Sequence, residues 1–253
     1  MYKIILSFLL LVLFISCKKE SKKLITIKKN ITKKEIIVKP VYNCTKDFVL
    51  GKFNYKNDSA FIRINSNHSS KAIYLNKEVY KAFKEMYTSA KKKGIKLIVI
   101  SGTRNFYEQK SIWERKWNKY KNLKPLERAK KILEYSSMPT TSRHHWGTDI
   151  DLINLNNSYF ENGNGKEEYE WLIKNANYFG FYQVYTNKEN GRTGYNLEKW
   201  HWSYLPLASK YLNYYNDSIS YKDINGFKGS ELAKKTKMIT EYVNGISLKS
   251  KAF

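Results

Sequence analysis

The chain's single long apolar run lies at its very start, from Ile4 to Ile15, and every later apolar segment is short. A helix that crosses a bilayer needs about 20 predominantly apolar residues. This distribution excludes a polytopic membrane protein. It leaves a polar chain whose short elements must bury their faces against one another. At 253 residues the length suits one domain plus an appendage. The 42% hydrophobic and 15% aromatic content supplies enough apolar surface to offset the entropy of ordering, which excludes a disordered chain.

The apolar run itself reads as an address. Lys3 precedes it and Ser16-Cys17-Lys18-Lys19 follows it, so a short charged start leads into a 12-residue core that ends at a small residue. Phe14-Ile15-Ser16-Cys17 is similar to a bacterial lipobox, with Phe14 where Leu is usual. The expectation is a lipoprotein signal over residues 1–16, cleavage before Cys17, and a lipid on Cys17 that holds the chain at a membrane of the cell envelope. Cys44 is the only other cysteine. With Cys17 lipidated it has no partner in the chain, so no disulfide framework is expected, and a metal site must draw on His and carboxylates.

Residues 17–46 are Lys-rich with scattered Ile and read as a tether. A globular domain is expected over 47–215, followed by a basic extension over 216–253. The formal net charge is +24, carried by 46 Lys and Arg of which only 6 are Arg. A nucleic-acid reader leans on Arg, whose planar fork matches phosphates and guanine edges. The Lys excess reads instead as a solvated surface, and no nucleic-acid partner is expected.

Asn76 to Lys93 carries apolar residues at steps of three and four, with a capping Asn and a closing Gly94, and predicts a helix. Lys96 to Ser101 predicts a buried strand. Asn105 and Glu108 stand at capping-box spacing at the head of a second helix that runs to Tyr120. Pro125 to Tyr135 predicts a third helix and Glu167 to Phe179 a fourth, with strands at Asp149 to Ile153, Phe181 to Tyr185 and around Trp200-His201-Trp202. Helices and short strands mix without βαβ alternation, which predicts an α+β fold.

Only four histidines exist, and three lie in two short segments: Ser142-Arg143-His144-His145-Trp146-Gly147-Thr148-Asp149-Ile150-Asp151 and Glu198-Lys199-Trp200-His201-Trp202-Ser203-Tyr204. A catalytic zinc takes three ligands from His and carboxylate and keeps one position open. His144 and Asp151 can converge if the chain turns at Gly147, and His201 can supply the third ligand. Glu198 is the natural base for a metal-activated water. On a flat strand Glu198 and His201 would face opposite ways, so the segment must be bulged there or Glu198 must sit on the preceding loop. Asp149 shares a strand face with Asp151. His145 and His68 read as structural.

These segments resemble the S-x-H-x-x-G-x-x-x-D and E-x-W-H-x-x-Y patterns of VanY-type D-alanyl-D-alanine carboxypeptidases, and Ser101-Gly102-Thr103-Arg104 with Gln109 resembles their S-G-x-R…Q stretch. The resemblance covers roughly Phe48 to Tyr211. It implies the hedgehog/DD-peptidase fold, with a small, mostly antiparallel sheet and flanking helices. It implies one zinc ion per chain held by His144, Asp151 and His201, with Glu198 as general base. Arg104 would bind substrate and stabilise the oxyanion, while Gln109 and Ser142 help hold a terminal carboxylate. The family usually has Ala where this chain has Asp149, so Asp149 would be a partner behind the ligands, a contact to the substrate amine or a competing ligand; the seven-residue spacing from His144 favours Asp151 as the ligand. The implied activity is removal of C-terminal D-alanine from peptidoglycan stem peptides, D,D or L,D; the chain is expected to be a monomer. A non-catalytic cell-wall-binding lipoprotein that kept the fold would lack a ligand or the base, and all four residues are present.

Overall fold

Strand Asp149–Leu152 is the organising element: its residues alternate between two acids and two aliphatics, and all four are buried. Such a strand presents chemistry on one face and core on the other. In the computed structural model, which describes residues 44–188 and 191–253, it lies inside a four-stranded antiparallel sheet. The expected signal, Cys17 and the tether up to Asn43 lie outside the described residues.

Chain order runs α1 (Lys46–Val49), β1 (Phe61–Arg63), β2 (Tyr74–Asn76), α2 (Lys77–Lys91), β3 (Val99–Ser101), α3 (Phe106–Lys119), α4 (Pro125–Ile132), β4 (Asp149–Leu152), α5 (Gly163–Asn175), β5 (Phe181–Gln183), β6 (His201–Tyr204), α6 (Leu205–Ser218) and α7 (Leu248–Lys251). The main sheet has the order β3-β4-β6-β5, and β1 pairs with β2 apart from it. The architecture is α+β, with small antiparallel sheets and flanking helices. Among the described residues no helix is long and apolar enough to cross a membrane.

Local chemistry accounts for the elements that frame the site. Asn76 caps α2, its side chain accepting from the Glu78 amide at 2.9 Å. The capping box on α3 forms in both directions, Asn105 with the Glu108 amide and Glu108 with the Asn105 amide, each at 2.9 Å. That fixes the entry of α3 immediately after Arg104. Ile150, Leu152 and Trp202 join the apolar core with Phe83, Leu172 and Phe181. Helix α5 starts at Gly163, a turn earlier than the hydrophobic pattern suggests, and a 3-10 turn over Ala176–Phe179 completes it.

The described residues lie in one compact unit, Tyr42–Phe253. Packing does not stop at residue 215. Ile219, Ile224, Phe227, Met238, Val243 and Ile246 all sit in the core. The indole of Trp113 on α3 donates to the Lys228 carbonyl at 2.8 Å, and the Ser247 amide donates to the Val184 carbonyl at 2.8 Å.

Candidate active site

The site grows out of strand register. Asp151 on β4 pairs with His201 on β6, and Asp149 pairs with Ser203, so these four side chains share one face. On the other edge of β4, Ser101 stands opposite Asp151. The chain reaches β4 through a 3-10 turn, Arg143–Trp146, that ends at Gly147 with φ +69°. A β-carbon at Gly147 would lie 2.3 Å from the Phe61 ring, so both the left-handed turn and the close packing require glycine there. This turn delivers His144 to the face that carries Asp151.

His144 Nδ1 lies 2.9 Å from the Gly102 carbonyl, an acceptor, so Nδ1 carries the proton and Nε2 is left toward Asp151 Oδ2, 3.4 Å away. His201 is held from both ends: Nε2 is 2.9 Å from Asp149 Oδ2 and Nδ1 is 3.0 Å from Asp151 Oδ1. One ligand atom from each of His144, Asp151 and His201 lies within 4.8 Å of the others, and all three residues are buried. These are groups that can hold a metal ion.

Asp149 stands outside that trio. Its Oδ2 accepts from Arg143 Nε and His201 Nε2, both at 2.9 Å, and its Oδ1 accepts from Thr148 Oγ1 and Ser203 Oγ, both at 2.8 Å. Both oxygens are committed. Burial alone would raise its pKa, but the Arg143 guanidinium and then His201 overcome that and hold it below the usual carboxylate range. Burial likewise works against ionised Asp151, and His144 and His201 overcome it. Burial would lower the His201 pKa, but its bonds to the two aspartates push it up to about 10.

Glu198 sits on the turn that precedes β6, its amide donating to the Tyr185 carbonyl at 2.9 Å. The face conflict expected for a flat strand is thereby removed. Glu198 Oε2 lies 3.5 Å from His201 Nδ1. Gln183 fixes this turn, donating from Nε2 to the Glu198 carbonyl at 3.0 Å. Burial pushes the Glu198 carboxyl up to about 8, against the pull of His201.

Arg104 follows β3. Its Nη1 donates to Ser101 Oγ and stands 3.9 Å from Asp151 Oδ2. Gln109 accepts from Arg104 Nε at 3.0 Å and donates to the Ser137 carbonyl at 2.8 Å, so its amide spans the guanidinium and the chain. Ser142 is buried with no hydrogen-bond partner for its Oγ among the described residues, and it does not line the cleft. His145 lies behind Arg104, Nδ1 donating to the Arg104 carbonyl at 2.7 Å and Nε2 accepting from the Thr140 amide at 3.2 Å. Burial lowers its pKa to about 3. His68 is remote, bonded to Tyr80 at 2.8 Å.

These groups open into a cleft of about 800 Å³. Its walls include Trp200, the tryptophan of the second motif segment, and also Arg143, Lys116, Tyr185 and Tyr195, to which the sequence pattern assigns no site role. Arg143 sits inside a motif segment, at a position the pattern leaves free. Lys116, Tyr185 and Tyr195 carry no spacing signal.

Residues 72–207 match the family model of VanY, D-alanyl-D-alanine carboxypeptidase, a little over half of the chain. The chain is 31% identical over 138 residues to YodJ of Bacillus subtilis (strain 168), covering 52% of this chain and 46% of that one. It is 30% identical over 128 residues to a protein of Enterococcus faecalis (strain ATCC 700802 / V583) named D-alanyl-D-alanine carboxypeptidase, covering 49% and 46%. The chain thus spans about half the length of the curated relatives it matches. The solved structure of VanYB in complex with D-alanine-D-alanine superposes with a TM-score of 0.50 at 22% identity, covering 66% of this chain and 93% of that one, a likeness of fold. The motif residues, the sheet that carries them and the matched span agree: the chain belongs to the VanY D-alanyl-D-alanine carboxypeptidase family.

Proposed function

We propose that the protein is an exported zinc carboxypeptidase that removes the C-terminal D-alanine from peptidoglycan stem peptides, as a D,D- or L,D-enzyme. One observation carries this reading: a buried His-Asp-His trio of ligand-competent groups shares a cleft with a buried carboxylate, Glu198, and a partly exposed guanidinium, Arg104. The donor set fits zinc. Two imidazoles and one carboxylate are a usual catalytic set, and the outward nitrogen of each histidine is fixed by an acceptor, the Gly102 carbonyl or Asp149. One zinc per chain would be held by His144, Asp151 and His201; when bound, it supplies Lewis-acid polarisation of a carbonyl and lowers the pKa of a water toward about 7.

The remaining work falls to the chain's own groups. Arg104, braced by Gln109 and Ser101, is suited to grip a peptide's terminal carboxylate with its free donors. The same guanidinium would stabilise negative charge on the carbonyl oxygen under attack. Glu198, whose Oε2 lies 3.5 Å from His201 Nδ1, would in its ionised form accept a proton from the attacking water and return it to the departing D-alanine amine. The reading takes the chain to be a monomer with no nucleic-acid partner. Lipid on Cys17 would keep it at the envelope, where peptidoglycan is found.

Amino-acid release from defined tripeptide, tetrapeptide and pentapeptide stems, with metal content measured on the same sample, tests this. D-Alanine release that chelation abolishes and zinc restores is the expected result. No release from any stem by zinc-loaded protein would overturn it.

A further inference from the structure

The charged groups lining the cleft fall into two sets. Arg104, Arg143, Asp151 and Glu198 lie deep and are accounted for above. Lys71, Arg115 and Lys116 form the remaining set, Lys71 and Arg115 exposed and Lys116 half-buried. No carboxylate lies within ion-pair distance of any of these three among the described residues. The outer cleft lining contains no acidic side chain at all.

A chain with a formal charge of +24 has cations on most of its surface, so exposed Lys71 and Arg115 alone say little. Lys116 is different. It projects from α3 into the wall of the cleft, where burial lowers its pKa and Glu198 opposes that fall. On the same helix Lys110 has Glu114 at 3.9 Å and the Gly226 carbonyl at 2.8 Å, whereas the Lys116 ammonium has no hydrogen-bond or ion-pair partner among the described residues. Taking an ammonium out of water is costly, and Glu198, beyond ion-pair distance, offsets only part of that cost. A binding cleft resolves that cost when its ligand brings the anion.

We infer that the cleft selects peptides that carry a second free carboxylate within two residues upstream of the bond to be cleaved, and that Lys116, with Arg115 and Lys71, reads it. This deepens the carboxypeptidase reading and rests on it. In that reading the terminal carboxylate is taken by Arg104 at the floor. The peptide upstream must then leave through the mouth, advancing at most about 3.3–3.6 Å per residue, so its next two residues pass the outer lining. A neutral backbone there needs no cation. An acidic side chain pairs with Lys116, while a lysine side chain is repelled by the whole set.

The test uses acetylated X-D-Ala-D-Ala and X-D-Ala peptides with X as glutamate, alanine or lysine. Two readouts are taken: D-alanine release by the zinc-loaded protein, and binding to zinc-loaded Glu198→Gln by calorimetry. Glutamate should exceed alanine roughly five- to tenfold in kcat/KM and in affinity, with lysine weakest, and added salt should compress the series. Lys116→Glu should invert the order of glutamate and lysine, and Arg115→Gln/Lys116→Gln should bring the ratios near one. Release with equal efficiency for all three peptides would overturn charge selection and leave the carboxypeptidase reading standing. Charge-ordered binding without release from any peptide would overturn that reading and leave charge selection standing. Unchanged ratios in both variants would remove Lys116 and Arg115 from recognition.

Discussion

His201 Nε2 lies 2.9 Å from Asp149 Oδ2, with Asp149 itself anchored by the buried Arg143 guanidinium at 2.9 Å. The ring is therefore locked with Nδ1 turned to Asp151 and Glu198. The Asp149 carboxylate thus sets which nitrogen of His201 faces the other two members of the metal-competent trio.

Asp149→Asn should weaken zinc binding about 10–100-fold, the usual consequence of losing the partner behind a ligating histidine. Competition with a chromogenic chelator reads this directly. Asp149→Ala should also lose about 3–5 kcal/mol of stability, because it strands Arg143 inside the protein. Adding Arg143→Met to Asp149→Ala should recover part of that loss in denaturant unfolding. Parental zinc affinity in Asp149→Asn would mean the contact does not orient the ligand.

Gly147→Ala should destabilise the protein by about 2–4 kcal/mol, combining a left-handed backbone with a β-carbon driven into Phe61. Gly94 makes the control: its φ is +76° but nothing lies within 4 Å of an added β-carbon. Gly94→Ala should cost only the backbone part, about 1–2 kcal/mol. Thermal or urea unfolding of the pair separates the two contributions, and equal losses would refute the packing argument.

Arg104→Ala should raise KM and lower kcat together, because one guanidinium is asked both to grip the carboxylate and to face the oxyanion. Gln109→Ala should move both parameters the same way but less, since its amide braces Arg104. The double variant should resemble Arg104→Ala alone. Additive losses in steady-state kinetics would give Gln109 an independent role.

Cys17→Ser should shift the protein from the membrane fraction to a soluble exported form or a retained precursor. Fractionation identical to the parent would rule out a lipid on this thiol.

Much of this site was readable from residue type and spacing. His144, Asp151, His201 and Glu198 stand in two segments, and the Asn105–Glu108 capping box that positions α3 behind Arg104 is a pure sequence signal. What spacing could not carry was orientation. Whether Glu198 lay on a strand or a turn depends on where β6 starts, and whether Asp149 ligates depends on Arg143, Thr148 and Ser203 claiming its oxygens. The pairing of β1 with β2 leaves no sequence signal, because three residues are too few to show a period of two. The path of residues 216–253 is equally hidden: a 3-10 turn over Ser230–Leu232 sets Leu232 against the core and a π-helical turn over Met238–Val243 buries Met238 and Val243, neither with α-helical periodicity.

The most direct test of the mechanism is the turnover of Glu198→Gln at zinc occupancy equal to the parent's. The substitution keeps size and removes the proton acceptor from a group buried beside His201. D-Alanine release should fall by about 10²–10⁴-fold while zinc content and peptide affinity hold. A Glu198→Gln protein that keeps its zinc and releases D-alanine at near-parental rate would contradict the account.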